Sequence, residues 1–119
     1  MASLLIVDDD AFLHKVLERI LAINGHTVTG LAYDGAEAVE IFTASNPKPD
    51  IILMDHRMPV MNGTTATREI MHIDSSVRIL FISADETVKE EAIESGALDF
   101  LTKPIRSAEL FAAIDKHLN

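Results

Sequence analysis

The chain has 119 residues, enough to bury one core without disulfides or metal staples, so one domain over residues 1–119 is expected. Hydrophobic residues make up 48% and charged residues 24%, a globular composition that argues against disorder. A net charge of −9 with no basic stripe argues against direct nucleic-acid binding, and the lack of cysteine removes thiolate metal sites, a cysteine nucleophile and disulfides.

Ser3-Leu-Leu-Ile-Val7 reads as a buried strand, apolar without alternation, as a parallel sheet requires. It is too short for a signal peptide or a membrane span, so a soluble, cytoplasmic protein with no membrane contact is expected. Asp8-Asp9-Asp10 follow, and Asp10 is expected only to cap the next helix. From Ala11 the period becomes helical: Phe12, Leu13, Val16, Leu17, Ile20 and Leu21 recur, and Asn24-Gly25 ends the run. Thr27 to Ala32 is a weaker second strand. Asp34-Gly-Ala-Glu37 reads as a capping box opening a helix that buries Ala38, Val39, Ile41 and Phe42. Ile51 to Met54 is the third strand. Helix three is expected over Thr64 to Ile73, with Ala66, Ile70 and Ile73 inward. Val77 to Ile82 is strand four. Helix four runs from Glu86 to Ser95, with Gly96 as its C-cap and Glu90, Glu91 and Glu94 on its exposed side. Leu98 to Leu101 is strand five. Ser107 is expected to cap helix five, whose apolar face is Leu110, Phe111, Ile114 and Leu118.

Strand and helix alternate five times. This implies right-handed crossovers and an α/β three-layer sandwich, a (βα)5 fold with a five-stranded parallel sheet covered on both faces. The pattern is consistent with the flavodoxin-like strand order 2-1-3-4-5. In such a sheet, ligands sit beyond the C-terminal ends of the strands, near the switch point between strands one and three. Strand one ends in Asp8-Asp9, strand three in Asp55, strand four in Ser83 and strand five in Lys103. Three carboxylates, a hydroxyl and an ammonium therefore gather on one edge. Neighbouring carboxylates repel unless a cation sits among them, and oxygen-only ligation points to Mg2+. Beside such a cation one carboxylate can attack phosphorus, while Lys103 and Ser83 hold phosphoryl oxygens.

Val7-Asp8-Asp9, Asp55-x-x-Met58-Pro59-x-Met61-x-Gly63, Ser83-Ala84 and Lys103-Pro104, in order along the whole chain, resemble the receiver domain of two-component response regulators. The resemblance implies that Asp55 accepts a phosphoryl group from a sensor histidine kinase or a histidine phosphotransfer protein. It implies that Asp9, Asp55 and the backbone carbonyl of Arg57 ligate Mg2+ directly, with Asp8 acting through water. Ser83 would bind a phosphoryl oxygen and draw its loop inward. Lys103 would contact the phosphoryl group and join Pro104 by a cis bond. Phe100 would be the aromatic switch, turning inward as Ser83 moves. The face built from helix four, strand five and helix five would then change its affinity for a downstream protein. Such a chain phosphorylates and dephosphorylates only itself and is a monomer or a phosphorylation-dependent dimer. It stands alone, as in chemotaxis, or is cut from a longer protein.

There are departures from the family pattern. Phe100 stands where Tyr is common and lacks its hydroxyl; Ser83 replaces the commoner Thr. Arg57 and Asp85 carry opposite charges on adjacent loops and are expected to pair across the mouth, slowing attack by water on phospho-Asp55. The five histidines are scattered, and His56 is expected to be a solvated loop residue. Two other classes fit less well. A small Mg2+-dependent phosphatase, with Asp55 as transient nucleophile, needs a second acid two residues on, where Arg57 stands. A flavodoxin-like cofactor module needs backbone amides and Gly, Ser or Thr where this chain has acids.

Overall fold

The computed structural model describes residues 2–118. Its elements are β1 (Ser3–Val7), α1 (Ala11–Ile23), β2 (Thr27–Ala32), α2 (Gly35–Ala44), β3 (Ile51–Met54), α3 (Gly63–Ile73), β4 (Arg78–Ser83), α4 (Lys89–Ser95), β5 (Asp99–Thr102) and α5 (Ser107–Leu118). The strands pair in parallel in the order β2-β1-β3-β4-β5, the flavodoxin-like order expected from the alternation. None of the helices among the described residues is long and apolar enough to cross a membrane.

Side chains of a strand alternate between the two faces of a sheet, and here both faces are covered. Leu5, Val7, Ile52, Met54 and Phe81 face one cluster, closed by Phe42 of α2, Ile70 of α3 and Ala92 of α4. Leu4, Ile6, Leu53, Leu80 and Ile82 face the other, closed by Leu17 and Leu21 of α1 and by Leu110 and Ile114 of α5. Near-continuous apolar strands are the signature of this double coverage. The β1–β2 register slips between Leu4 and Leu5, and the Thr29 hydroxyl donates to the Leu4 carbonyl at the slip. Gly30 follows because a Cβ there would press on Leu5 and Ile41.

Several element ends follow local capping chemistry rather than hydrophobic period. Asp10 caps α1, its carboxylate accepting from the amides of Phe12 and Leu13, as expected. Asp34 caps α2 by accepting from the Glu37 amide, but Glu37 reaches the Tyr33 amide, one residue before the cap. The stretch expected as helix four begins with a 3-10 turn at Glu86–Val88, because Asp85 caps the Thr87 amide and tightens the entry. β4 and β5 each begin one residue later than expected and extend one further. Ser107 is the first residue of α5 rather than the residue before it.

Two expected faces are corrected. Phe12 and Val16 of α1 are exposed, Phe12 by 73%, and the inner row is His14, Leu17 and Leu21. Ile73 of α3 is exposed as well, while Thr64 and Thr67 join Ala66 and Ile70 inside.

Candidate functional site

Ladder register builds the site. Val7 is opposite Met54 across β1–β3, so Asp8 and Asp55 are the next pair beyond the strand ends. Their amides are still held: Asp8 donates to the Ala32 carbonyl at 3.0 Å and Asp55 to the Val7 carbonyl at 2.9 Å. Lys103, one residue past β5, donates its amide to Ser83 at the end of β4 at 2.9 Å. Four adjacent strands, β1, β3, β4 and β5, thus end with polar side chains on one rim, as expected.

Asp8 and Asp55 are buried, at 3% and 6% exposure, and Asp9 is exposed. Each offers a carboxylate oxygen, and these oxygens all lie within 4.8 Å of one another. Lys103 Nζ reaches Asp8 at 2.8 Å and Asp55 at 3.5 Å. Burial first, then the charge of Asp8, pushes the Asp55 carboxyl above its ordinary 3.8, against the pull of Lys103 and of the His56 amide. Burial alone would lower Lys103, but the hydrogen bond to Asp8 and the charges of Asp55 and Asp8 outweigh it and raise the ammonium above 10.5. Three carboxylates thus share one ammonium, so negative charge is in excess at the rim. The donors are all carboxylate oxygens, which fits a small hard divalent cation such as Mg2+.

Asp55, Arg57, Ser83, Ala84, Asp85 and Lys103 line a cleft of about 340 Å³. Ser83 is buried, and its hydroxyl accepts from the Asp85 amide at 3.1 Å. Arg57 and Asp85 pair as expected: Nη2 lies 2.8 Å and Nε 3.2 Å from one carboxylate oxygen. Hydrogen bonds from Thr87 first, and then from Arg57, hold the Asp85 carboxyl down to about 2. The Lys103–Pro104 bond is cis, as expected. Phe100 is set back from the cleft, buried and stacked on Phe81 with ring centroids 6.3 Å apart. His56 is half-buried rather than solvated, and its Nδ1 is buried without a partner.

The loop after Asp55 is pressed against the site. The Gly63 amide donates to the His56 carbonyl at 2.9 Å, and a Cβ on Gly63 would overlap the Asp55 carbonyl. Gly35, at the start of α2, donates to the Met61 carbonyl of the same loop at 3.0 Å. Val60, in this loop, has a φ of 68°, a conformation that β-branched residues rarely adopt.

Sequence reasoning passed over His14. It is 1% exposed, lies under the acidic rim and donates from Nε2 to the Asp8 carbonyl at 2.7 Å. A signal was present: His14 falls in phase with Leu17 and Leu21 on the inner row of α1.

The model of the response regulator receiver domain matches residues 4–115. The chemotaxis protein CheY of Bacillus subtilis is 42% identical over 118 residues, covering 98% of this chain and 97% of that protein. CheY of Thermotoga maritima is 43% identical over 114 residues, covering 94% and 93%. Among solved structures, a CheX–CheY–BeF3–Mg2+ complex from Borrelia burgdorferi superposes with a TM-score of 0.93 at 33% identity, covering 98% of this chain and 89% of that one.

Proposed function

The chain belongs to the response regulator receiver family of two-component signalling, and on that premise we propose that Asp55 is its phosphoacceptor, charged by a phospho-histidine donor and assisted by Mg2+. One observation carries this reading: three strand ends converge so that Asp55 sits among Asp8, Asp9 and the Lys103 ammonium. An oxygen of the Asp55 carboxylate attacks phosphorus, the P–O bond forms, the P–N bond breaks, and the imidazole leaves with its electron pair. Lys103, 3.5 Å from Asp55, balances charge on the transferring oxygens. Ser83 spends a lone pair on the Asp85 amide, which leaves its hydroxyl proton to donate to a phosphoryl oxygen. Asp8, Asp9, Asp55 and the Arg57 carbonyl would hold Mg2+, Asp8 through water. The bound ion supplies charge neutralisation at the acceptor.

The donor is a histidine kinase or histidine phosphotransfer protein. An apolar groove of about 440 Å³ beside Lys103, lined by Leu13, Val16, Ile20, Pro104 and Ile105, suits an apolar helix from it. The output is a change in affinity on the face made by α4, β5 and α5. Phe100 already lies inward against Phe81, so inward movement of Ser83 would select this ring position over an outward one. The Arg57–Asp85 pair spans the mouth and slows attack by water. The CheX–CheY complex of Borrelia burgdorferi is an instance of a receiver held by another protein.

The test is intact mass after incubation with acetyl phosphate and MgCl2, for wild type and Asp55→Asn. One added phosphate on wild type and none on the variant is expected. Equal labelling of both places the chemistry elsewhere.

A further inference from the structure

We propose that His14 is a positioning residue of this site: by donating to the Asp8 carbonyl it fixes the Asp8–Asp9 peptide plane and so aims the Asp9 carboxylate. The proposal rests on the reading of the acidic rim as a divalent-cation site.

Asp8 is held on every polar side. Its amide donates to Ala32, and its carboxylate accepts from the Asp10 amide at 2.9 Å and from Lys103 at 2.8 Å. Its carbonyl lies past the end of β1, where the sheet offers no partner, and His14 supplies one at 2.7 Å. Asp9 differs. It is exposed, and among the described residues no hydrogen bond or ion pair holds its carboxylate. Its aim therefore depends on its backbone. The Asp8 carbonyl and the Asp9 amide belong to one planar unit, so pinning the first orients the second. Asp8 Oδ1 braces the far side of the turn through the Asp10 amide.

His14 is itself tightly held. Its ring stacks on Tyr33, centroids 4.5 Å apart at 18°. A carbonyl only accepts, so Nε2 carries a proton, while Nδ1 is buried with no hydrogen-bond partner. A leucine would continue the row of Leu17 and Leu21 without burying that nitrogen. The carbonyl bond is what the imidazole adds. Metal ligands are commonly oriented by partners of this kind, whose loss weakens affinity about tenfold or more.

The experiment compares wild type with His14→Leu, which keeps the apolar volume but removes the donor. It includes His14→Gln, whose amide nitrogen sits as many bonds from Cβ as Nε2 does. Mg2+ affinity is measured by titration calorimetry and stability by urea unfolding. In His14→Leu, Mg2+ affinity should fall about tenfold, while labelling by acetyl phosphate recovers at saturating MgCl2. His14→Gln should restore most of the affinity. Nitrogen-15 NMR of the Mg2+-free protein should show the Nε2–H tautomer. If His14→Leu loses stability yet binds Mg2+ like wild type, or if the ring carries its proton on Nδ1, the proposal is wrong while the site reading stands. If wild type neither binds Mg2+ nor is labelled, both fall together. Should His14→Leu fail to fold, His14→Asn, polar but one bond short of the carbonyl, carries the same comparison.

Discussion

Replacing Asp55 with asparagine should stabilise the Mg2+-free protein. The Asp55 side chain is 8% exposed, and one of its oxygens lies within 4.8 Å of oxygens on Asp8 and Asp9. At an effective dielectric of about 20, repulsion from Asp8 is about 3.5 kcal/mol, and Lys103 at 3.5 Å returns about 4.7 kcal/mol. Those two leave about 1 kcal/mol in favour of the charged form. Against it stand the screened repulsion of exposed Asp9 and the desolvation of a buried charge, together about 2 kcal/mol. The substituted amide would keep the geometry of the bond from the His56 amide and lose the charge. The expected gain is about 1 kcal/mol near neutral pH, or roughly 3–5 °C in Tm. The pH dependence has a fixed sign. Because the folded-state value of Asp55 lies above 3.8, its protonated form favours folding, and that contribution is present below the unfolded value and lost as pH rises through the folded one. The advantage of Asp55→Asn should therefore be full at neutral pH and shrink on acidification. It should shrink or reverse when MgCl2 replaces EDTA, since a bound cation stabilises wild type by mass action. Urea unfolding followed by circular dichroism measures all three. A variant no more stable than wild type in EDTA, or a gain indifferent to Mg2+, would refute the reasoning.

Gly63→Ala should cost about 2 kcal/mol or more in urea unfolding, because its Cβ meets the Asp55 backbone rather than a flexible side chain; a neutral result would mean the loop yields. Val60→Asn should stabilise by about 1 kcal/mol, since asparagine tolerates the positive φ that valine resists; a lower urea midpoint would count against strain at this position. Arg57→Ala and Asp85→Ala should each speed loss of the phosphoryl group severalfold after removal of the donor, read by intact mass over time. Unchanged lifetimes in both would leave the ion pair without a role at the mouth.

The layered sheet was legible because each strand is a short apolar run and each helix repeats at its own period, from Leu4–Val7 to Leu110–Ile114. The rim was legible because strand ends place Asp8, Asp55, Ser83 and Lys103 by topology alone. Hydrophobicity could not show which apolar residues stay outside. Phe12 lies in the first turn of α1, beyond the end of the sheet, and Ile73 is the last residue of α3, so neither has a layer to cover it. Nor could hydrophobicity show polar residues that belong inside. Thr67 is fully buried, and His14 is buried because a carbonyl past a strand end needs a donor. The late start of α4 was hidden because it depends on one side chain, Asp85, folding back on Thr87.

The two walls of the acceptor cleft are built to different standards. On one, the loop following Asp55 is bolted by Gly63 to the His56 carbonyl and by Gly35 of α2 to Met61, so displacing it unseats two helices. On the other, the passage from Ser83 into α4 hangs on Asp85, whose bonds to Arg57 and Thr87 lie at the surface, and α4 has only seven residues. On the proposed reading, a new group on Asp55 would meet a fixed jamb on the first side and a hinge on the second, and any message it carried would leave through the hinge.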